Sequence, residues 1–221
     1  MKKKQHIILI FALFAITQIA LPQQKATPEN TPNKANARPE KPAPDSEPFD
    51  DTSLEAMAKK CVVFETGEGK ITLGFFPEVA PFTVRNFLNL TAIGAWDNTT
   101  FSRTVPNFII QGGNVWTNEA ATEKIKWRAA KTLPDEPNGI KHEPGVISMA
   151  RGDEPNSATT NFFILLTTAD YLDGKFAAFG RVTEGMDVVK AINEKPAEGE
   201  TPKDPIRIKT AKVIECVPNS Q

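Results

Sequence analysis

The chain has 221 residues, with 26 Lys and Arg against 27 Asp and Glu and a formal net charge of -1. This balance excludes the basic footprint of a nucleic-acid binder. The two Cys and two His exclude a four-thiolate zinc site or a disulfide-dense scaffold, while 40% hydrophobic residues suffice for a globular core in one domain or two small ones.

Lys2, Lys3 and Lys4 precede an apolar run from Ile7 to Leu21. The run is shorter than the roughly 20 residues of a membrane-spanning helix and has the length of a signal-peptide core. Residues 1–21 therefore read as a signal peptide or an uncleaved N-terminal anchor, with a membrane tether through residues 7–21 in the second case. No Cys lies near enough for lipid attachment. Pro22, Pro28, Pro32, Pro39, Pro42, Pro44 and Pro48 follow, with Lys, Glu, Asn and Ala between them. A stretch of this composition buries too little apolar surface to offset its ordering entropy, so residues 22–57 read as a disordered Pro-rich tether.

Residues 58–218 read as one domain. CVVFET (61–66) and KITLGFF (70–76) flank Gly67-Glu68-Gly69 and predict a hairpin. Pro77 and Pro81 bracket a helix start; Phe82, Val84, Phe87, Leu88 and Leu90 then recur at helical spacing up to Gly94. Short strands are expected at 100–105, 107–112, 145–150, 161–166 and 177–182, a second helix at 185–194 and an alternating last strand at 206–215. Eight strands with only two helices predict a mainly β fold, closed into a barrel or packed as a sandwich, and not a doubly wound one.

Most catalytic chemistries find no support. Nucleophilic triads usually need a His as base, and beyond the N-terminal segment the chain has only His142, in a Lys-His-Glu-Pro turn that reads as surface. No GxxxxGK[ST] phosphate loop is present. Cys61 begins the first strand and Cys216 ends the last, without CxxC spacing. Antiparallel pairing of those strands would bring the thiols together, and an exported chain would permit a disulfide closing a loop of roughly 155 residues; two buried free thiols are the alternative.

Candidate chemistry concentrates in Phe101-Ser102-Arg103-Thr104-Val105-Pro106-Asn107-Phe108-Ile109-Ile110-Gln111-Gly112-Gly113. Pleat periodicity places Phe101, Arg103 and Val105 on one strand face, and a cation on an apolar face is costly in an ordinary core. Three further blocks follow: Gly145 to Arg151, Ser157 to Ile164 and Tyr171 to Gly180. In this order and spacing the four blocks resemble the cyclophilin family of peptidyl-prolyl isomerases, over residues 61–216. The resemblance implies a closed eight-stranded antiparallel barrel capped by two α-helices.

It also implies roles. Arg103 stands at the catalytic arginine. Phe108, Ile109, Phe163 and Leu172 stand at the proline pocket, and Gln111 at the glutamine that bonds the substrate backbone. Ala150 and Arg151 match the main chain that pairs with the peptide. Ile109 replaces the usual Met, Asn161 the usual Gln, Tyr171 a Trp used in cyclosporin binding, and Phe176 a His; weak cyclosporin binding is implied. Residues 114–133 lack the family's Gly-rich loop and carry Trp116 and Trp127.

The implied reaction, acceleration of X–Pro isomerisation in exported proteins, makes and breaks no bond and needs no cofactor or metal. The expected partners are proline-containing polypeptides met by a monomer in the periplasm or cell envelope. A module that binds proline peptides without turnover is the alternative, and Arg103 discriminates, because a pure binder needs no cation in its pocket.

Overall fold

The computed structural model describes residues 46–217. The expected signal or anchor segment, and residues 22–45 of the expected tether, lie outside the described residues. Residues 46–57 do not follow the tether expectation. They form a strap across the domain, in which Arg85 Nη1 donates to the carbonyls of Phe49 and Asp50, and Asn89 Oδ1 accepts from Phe49 N at 2.8 Å. Helix α1 (Leu54–Ala58) completes it, capped by Ser53 and anchored by the buried Met57. Composition mispredicts these residues because two apolar anchors, Phe49 and Met57, pack against the core.

Strands β1 (Lys60–Thr66) and β2 (Lys70–Phe75) form the expected hairpin. The hydroxyl of Thr66 ties its turn, accepting from Glu68 N and Gly69 N at 3.1 Å each. Helix α2 (Pro81–Ala92) begins on a proline, where the missing N–H costs nothing. The N–H groups of Phe82 and Thr83 donate to the Glu136 carboxylate at 3.0 and 2.8 Å, supplying the cap that Ala80 cannot. Then come β3 (Arg103–Val105), β4 (Ile109–Gly112), α3 (Glu123–Ala129), β5 (Val146–Met149), β6 (Phe162–Leu165), β7 (Ala178–Glu184) and α4 (Met186–Asn193). A small hairpin, β8 (Ala197–Glu198) with β9 (Thr201–Pro202), precedes β10 (Ile208–Glu215).

Eight strands form one antiparallel sheet in the order β10-β1-β2-β7-β5-β6-β4-β3. The fold is mainly β, as expected, but the barrel is not closed. β3 and β10 remain the two edges; the residues that lead into β3 meet the start of β10, where Asn98 N donates to Ile208 O, Ile208 N to Thr99 O and Phe101 N to Ile206 O around one bridge, Thr100 with Arg207. β3 is three residues long, too short to run a ladder along the eight residues of β10. The result is a curled sheet whose concave side is filled from α2. There the Phe87 ring lies 5.0–6.2 Å from the rings of Trp96, Phe179, Phe162, Phe75 and Phe64. The structure joins Cys61 to Cys216 across the paired strands β1 and β10, with their Cα atoms 5.0 Å apart.

Candidate active site

The pleat of β4 and β6 sorts their side chains between two cores. Ile110, Phe162 and Ile164 turn into the main core, while Ile109, Phe163 and Leu165 face the other side and meet Val146, Ala169, Leu172 and Ala178 there. Phe108 and Phe176 pack against this second cluster. Their rings border a cavity of about 270 Å³, whose apolar wall is Phe108, Ile109, Phe163, Leu172 and Phe176 and whose remaining lining is Arg103, Gln111, Ala150, Arg151 and Tyr171. Phe163 and Phe176 meet edge to face at 6.0 Å. Tyr171 lies 6.4 Å from Phe108, ring to ring, and is 61% exposed.

Two fixtures hold the apolar wall. Asn193, at the end of α4, donates through Nδ2 to the carbonyls of Val105 and Ile109 at 2.9 Å each and accepts from Asn107 N at 2.9 Å, so one side chain braces the turn that presents Phe108. Residues 170–172 form a single 3-10 turn that carries Tyr171 and Leu172. Asp173, just after it, accepts from Lys141 Nζ at 2.8 Å and from His142 N at 2.9 Å. These donors, Lys141 foremost, hold the Asp173 carboxyl well below the usual carboxylate range.

Arg103 and Gln111 are directly paired in the β3–β4 ladder. The Arg103 guanidinium is gripped twice: Nη1 donates to Gln111 Oε1 at 3.1 Å and Nε to Glu200 Oε2 at 2.6 Å. The guanidinium bond lowers the pKa of the Glu200 carboxyl from its ordinary value. Glu200 sits in the β8–β9 turn, 97 residues away along the chain, where no local pattern couples it to Arg103. The guanidinium of Arg151 lies 5.4 Å from the centre of the Phe176 ring, within cation–π range.

Three expectations need correction. Phe101 does not share a face with Arg103 and Val105 but is fully buried in the main core. Ser102 N bonds to Gln111 O while Arg103 pairs opposite the same Gln111, so one extra residue enters the strand and the alternation loses phase there. Asn161 does not line the cavity; its carbonyl accepts from Ala150 N at 2.9 Å and so fixes the start of the segment that does. His142 is not a surface residue. It is fully buried, with Nδ1 3.0 Å from Asp173 Oδ1 and Nε2 3.1 Å from Ser148 Oγ. The Asp-His-Ser order resembles a hydrolase triad, but Ser148 is also fully buried, within a strand of four buried residues, and no substrate carbonyl can reach it. The signal available in the sequence was a lone Ser in the apolar run Val146 to Met149.

A second groove, about 480 Å³, is lined by residues of β1, β2, β7 and the disulfide. Of its three charged residues, Lys70 and Glu184 are bonded to Glu65 and Thr72, and Arg181 is the third. Among the described residues, the 270 Å³ cavity combines a wall of aromatic and aliphatic side chains with a cation held in place by two side-chain bonds, those of Arg103 to Gln111 and Glu200.

Comparison with known proteins agrees with this geometry. The family described as "Cyclophilin type peptidyl-prolyl cis-trans isomerase/CLD" matches residues 61–213. A peptidyl-prolyl cis-trans isomerase of Acinetobacter baylyi is 34% identical over 166 residues, 71% of this chain and 86% of that protein. One from Arabidopsis thaliana, CYP23, is 37% identical over 141 residues; the match spans 63% of this chain and 62% of that longer protein. A crystal structure of a Cryptosporidium parvum cyclophilin type peptidyl-prolyl cis-trans isomerase, determined in the presence of the dipeptide Ala-Pro, superposes with a TM-score of 0.62. Its sequence identity is 29%, with 71% of this chain and 99% of that one covered.

Proposed function

The chain belongs to the cyclophilin-type peptidyl-prolyl cis-trans isomerases, and from that premise we propose that Arg103, Gln111 and the Phe108–Phe163 pocket carry out X–Pro isomerisation on polypeptides exported from the cell. The observation that carries this reading is a guanidinium oriented at the edge of an apolar pocket of about 270 Å³, roomy enough for a prolyl ring.

Rotation about the peptide C–N bond is slow because resonance must be lost, at a barrier of about 18–20 kcal/mol. Phe108, Ile109, Phe163, Leu172 and Phe176 grip the prolyl ring, while Gln111 and the main chain at Ala150 and Arg151 hold the flanking peptide. In the twisted state the prolyl nitrogen is no longer conjugated and regains a lone pair. Arg103 donates a hydrogen bond to that lone pair more strongly than to the planar ground state, which is the differential binding that lowers a barrier. Arginine suits the task because it stays charged and keeps donors to spare when others are engaged. No nucleophile takes part.

The basic N-terminal residues, the apolar run 7–21 and the Cys61–Cys216 disulfide support a periplasmic or envelope location, because disulfides persist in oxidising compartments. The same reading includes a monomeric enzyme and, with Tyr171 in place of a Trp, weak cyclosporin binding.

A protease-coupled or NMR exchange assay on an Ala-Pro peptide tests the site. Arg103→Ala is expected to lower kcat/KM by more than about tenfold, equivalent to some 1.36 kcal/mol of transition-state stabilisation, with unchanged circular dichroism. Wild-type turnover in the folded variant would remove Arg103 from the mechanism. A folded wild-type protein that binds the peptide without turnover would instead be a proline-binding module.

A further inference from the structure

The ion pair between Arg103 and Glu200 is an expensive arrangement to explain by stability. Both side chains are about half exposed, 40% and 54%, and exposed pairs contribute little to folding. The geometry is nonetheless specific. The β8–β9 hairpin has a two-residue turn, Gly199-Glu200, between Glu198 and Thr201, and Gly199 takes φ 61°, as the first central position of a II′ turn demands. The Glu200 carbonyl accepts from Thr104 N at 2.9 Å, docking the turn onto the strand that bears Arg103. Lys203 N closes the hairpin onto the Pro196 carbonyl at 2.9 Å. The carboxylate is thereby delivered to Nε, while Gln111 takes Nη1. Among the described residues nothing bonds Nη2, so the two grips fix the guanidinium plane and leave donors for a substrate.

We propose that Glu200 is a positioning residue, which with Gln111 locks the Arg103 guanidinium in the orientation that meets the twisted prolyl nitrogen. The proposal rests on the isomerase reading of the site. Arg103 has several rotatable bonds; held by Gln111 alone it can swing about that contact, and misplacement of a catalytic group by about 1 Å costs up to a hundredfold in rate. Glu200 acts through Arg103 and does not touch the substrate, so its loss is felt in kcat while KM changes little.

The test compares wild type, Glu200→Ala, Glu200→Gln and Arg103→Ala as full chains over a series of Ala-Pro peptide concentrations, with thermal melts alongside. Glu200→Ala is expected to lower kcat about five- to tenfold, with KM within about twofold. Glu200→Gln retains an acceptor at the same reach and is expected to recover most of the loss. In 15N spectra the Arg103 Nε–H signal is expected to be protected from solvent exchange in wild type and Glu200→Gln and unprotected in Glu200→Ala. The main-chain bond from Thr104 N survives every side-chain change, so the hairpin stays docked. If Glu200→Ala does not fold, Glu200→Gln and its Nε–H signal decide alone. Wild-type or raised kcat in Glu200→Ala, beside an inactive Arg103→Ala, would overturn the positioning role and leave the isomerase site intact. A Glu200→Gln variant as impaired as Glu200→Ala would also overturn it. Full turnover in Arg103→Ala would fault the site reading itself.

Discussion

Asp173 shows how one residue secures one wall of the site. Its carboxylate collects Lys141 Nζ, His142 N and His142 Nδ1, at 2.8, 2.9 and 3.0 Å, directly beside the turn that carries Leu172. Because these donors lower its folded-state pKa, the stabilisation is fully present above the unfolded value, about pH 4, and is lost as pH falls from there towards the lowered folded value. Asp173→Asn is therefore expected to melt below wild type at neutral pH, with the gap closing as pH falls below about 4, where the unfolded carboxyl takes up its proton while the folded one still resists it. Melts followed by circular dichroism across that range check this; a gap independent of pH would mean that the charge is not the source. At this scale legibility in the sequence depended on chain distance. Arg103, Phe108 and Gln111 lie within one short stretch, and their spacing could be read. Glu200 and Asn193 reach that stretch from 97 and 86 residues away, and His142 is buried by partners on two other elements. No local pattern encodes such meetings.

Elements were legible in proportion to their length. The twelve residues of α2 and the seven or eight of β1, β7 and β10 show clear periodicity. The helix α1 has five residues and β8 and β9 two each, too few for a period to appear. α3 has seven residues and carries a Thr122 cap with Glu123 in its first turn, a start signal readable in principle in a segment, 114–133, for which no element is predicted. Alternation was reliable within β4 and β6; it lost phase at the Ser102–Arg103 irregularity and again in β7, where Phe179 and Val182 enter the same core three residues apart. The end of β4 is a tightly constrained point of the site's framework. Gly113 adopts φ +88°, and a Cβ there would lie 2.3 Å from the Thr160 carbonyl oxygen. Gly113→Ala must therefore strain the backbone and push β4 from the segment entering β6, at a cost of about 1–3 kcal/mol. A lower urea midpoint together with reduced turnover is expected, since Gln111 is two residues away. An unchanged midpoint would show that the segment around Thr160 yields freely.

For the whole molecule, the open seam decides where stability is vulnerable. The sheet curls without closing, so its edge strand β10 is held to the rest through β1 and the short contacts near Thr100. The Cys61–Cys216 bond crosses that β1–β10 pair and closes a sequence separation of 155 residues. In the chain-entropy account a loop of this size limits the unfolded ensemble by about 5 kcal/mol, against a total stability of about 5–15 kcal/mol for a domain. The active-site strands are remote in sheet order, with β2, β7 and β5 between β1 and β6. The bond should therefore govern persistence and not chemistry. Cys61→Ala/Cys216→Ala is expected to lower the denaturant midpoint markedly while the fraction still folded keeps wild-type kcat and KM. Equal loss of turnover per folded molecule would mean that the β1–β10 pair is coupled to Arg103, through the contact of residues 98–101 with 206–208 that leads directly into β3. An unchanged midpoint would mean that the β1–β10 ladder alone holds the edge.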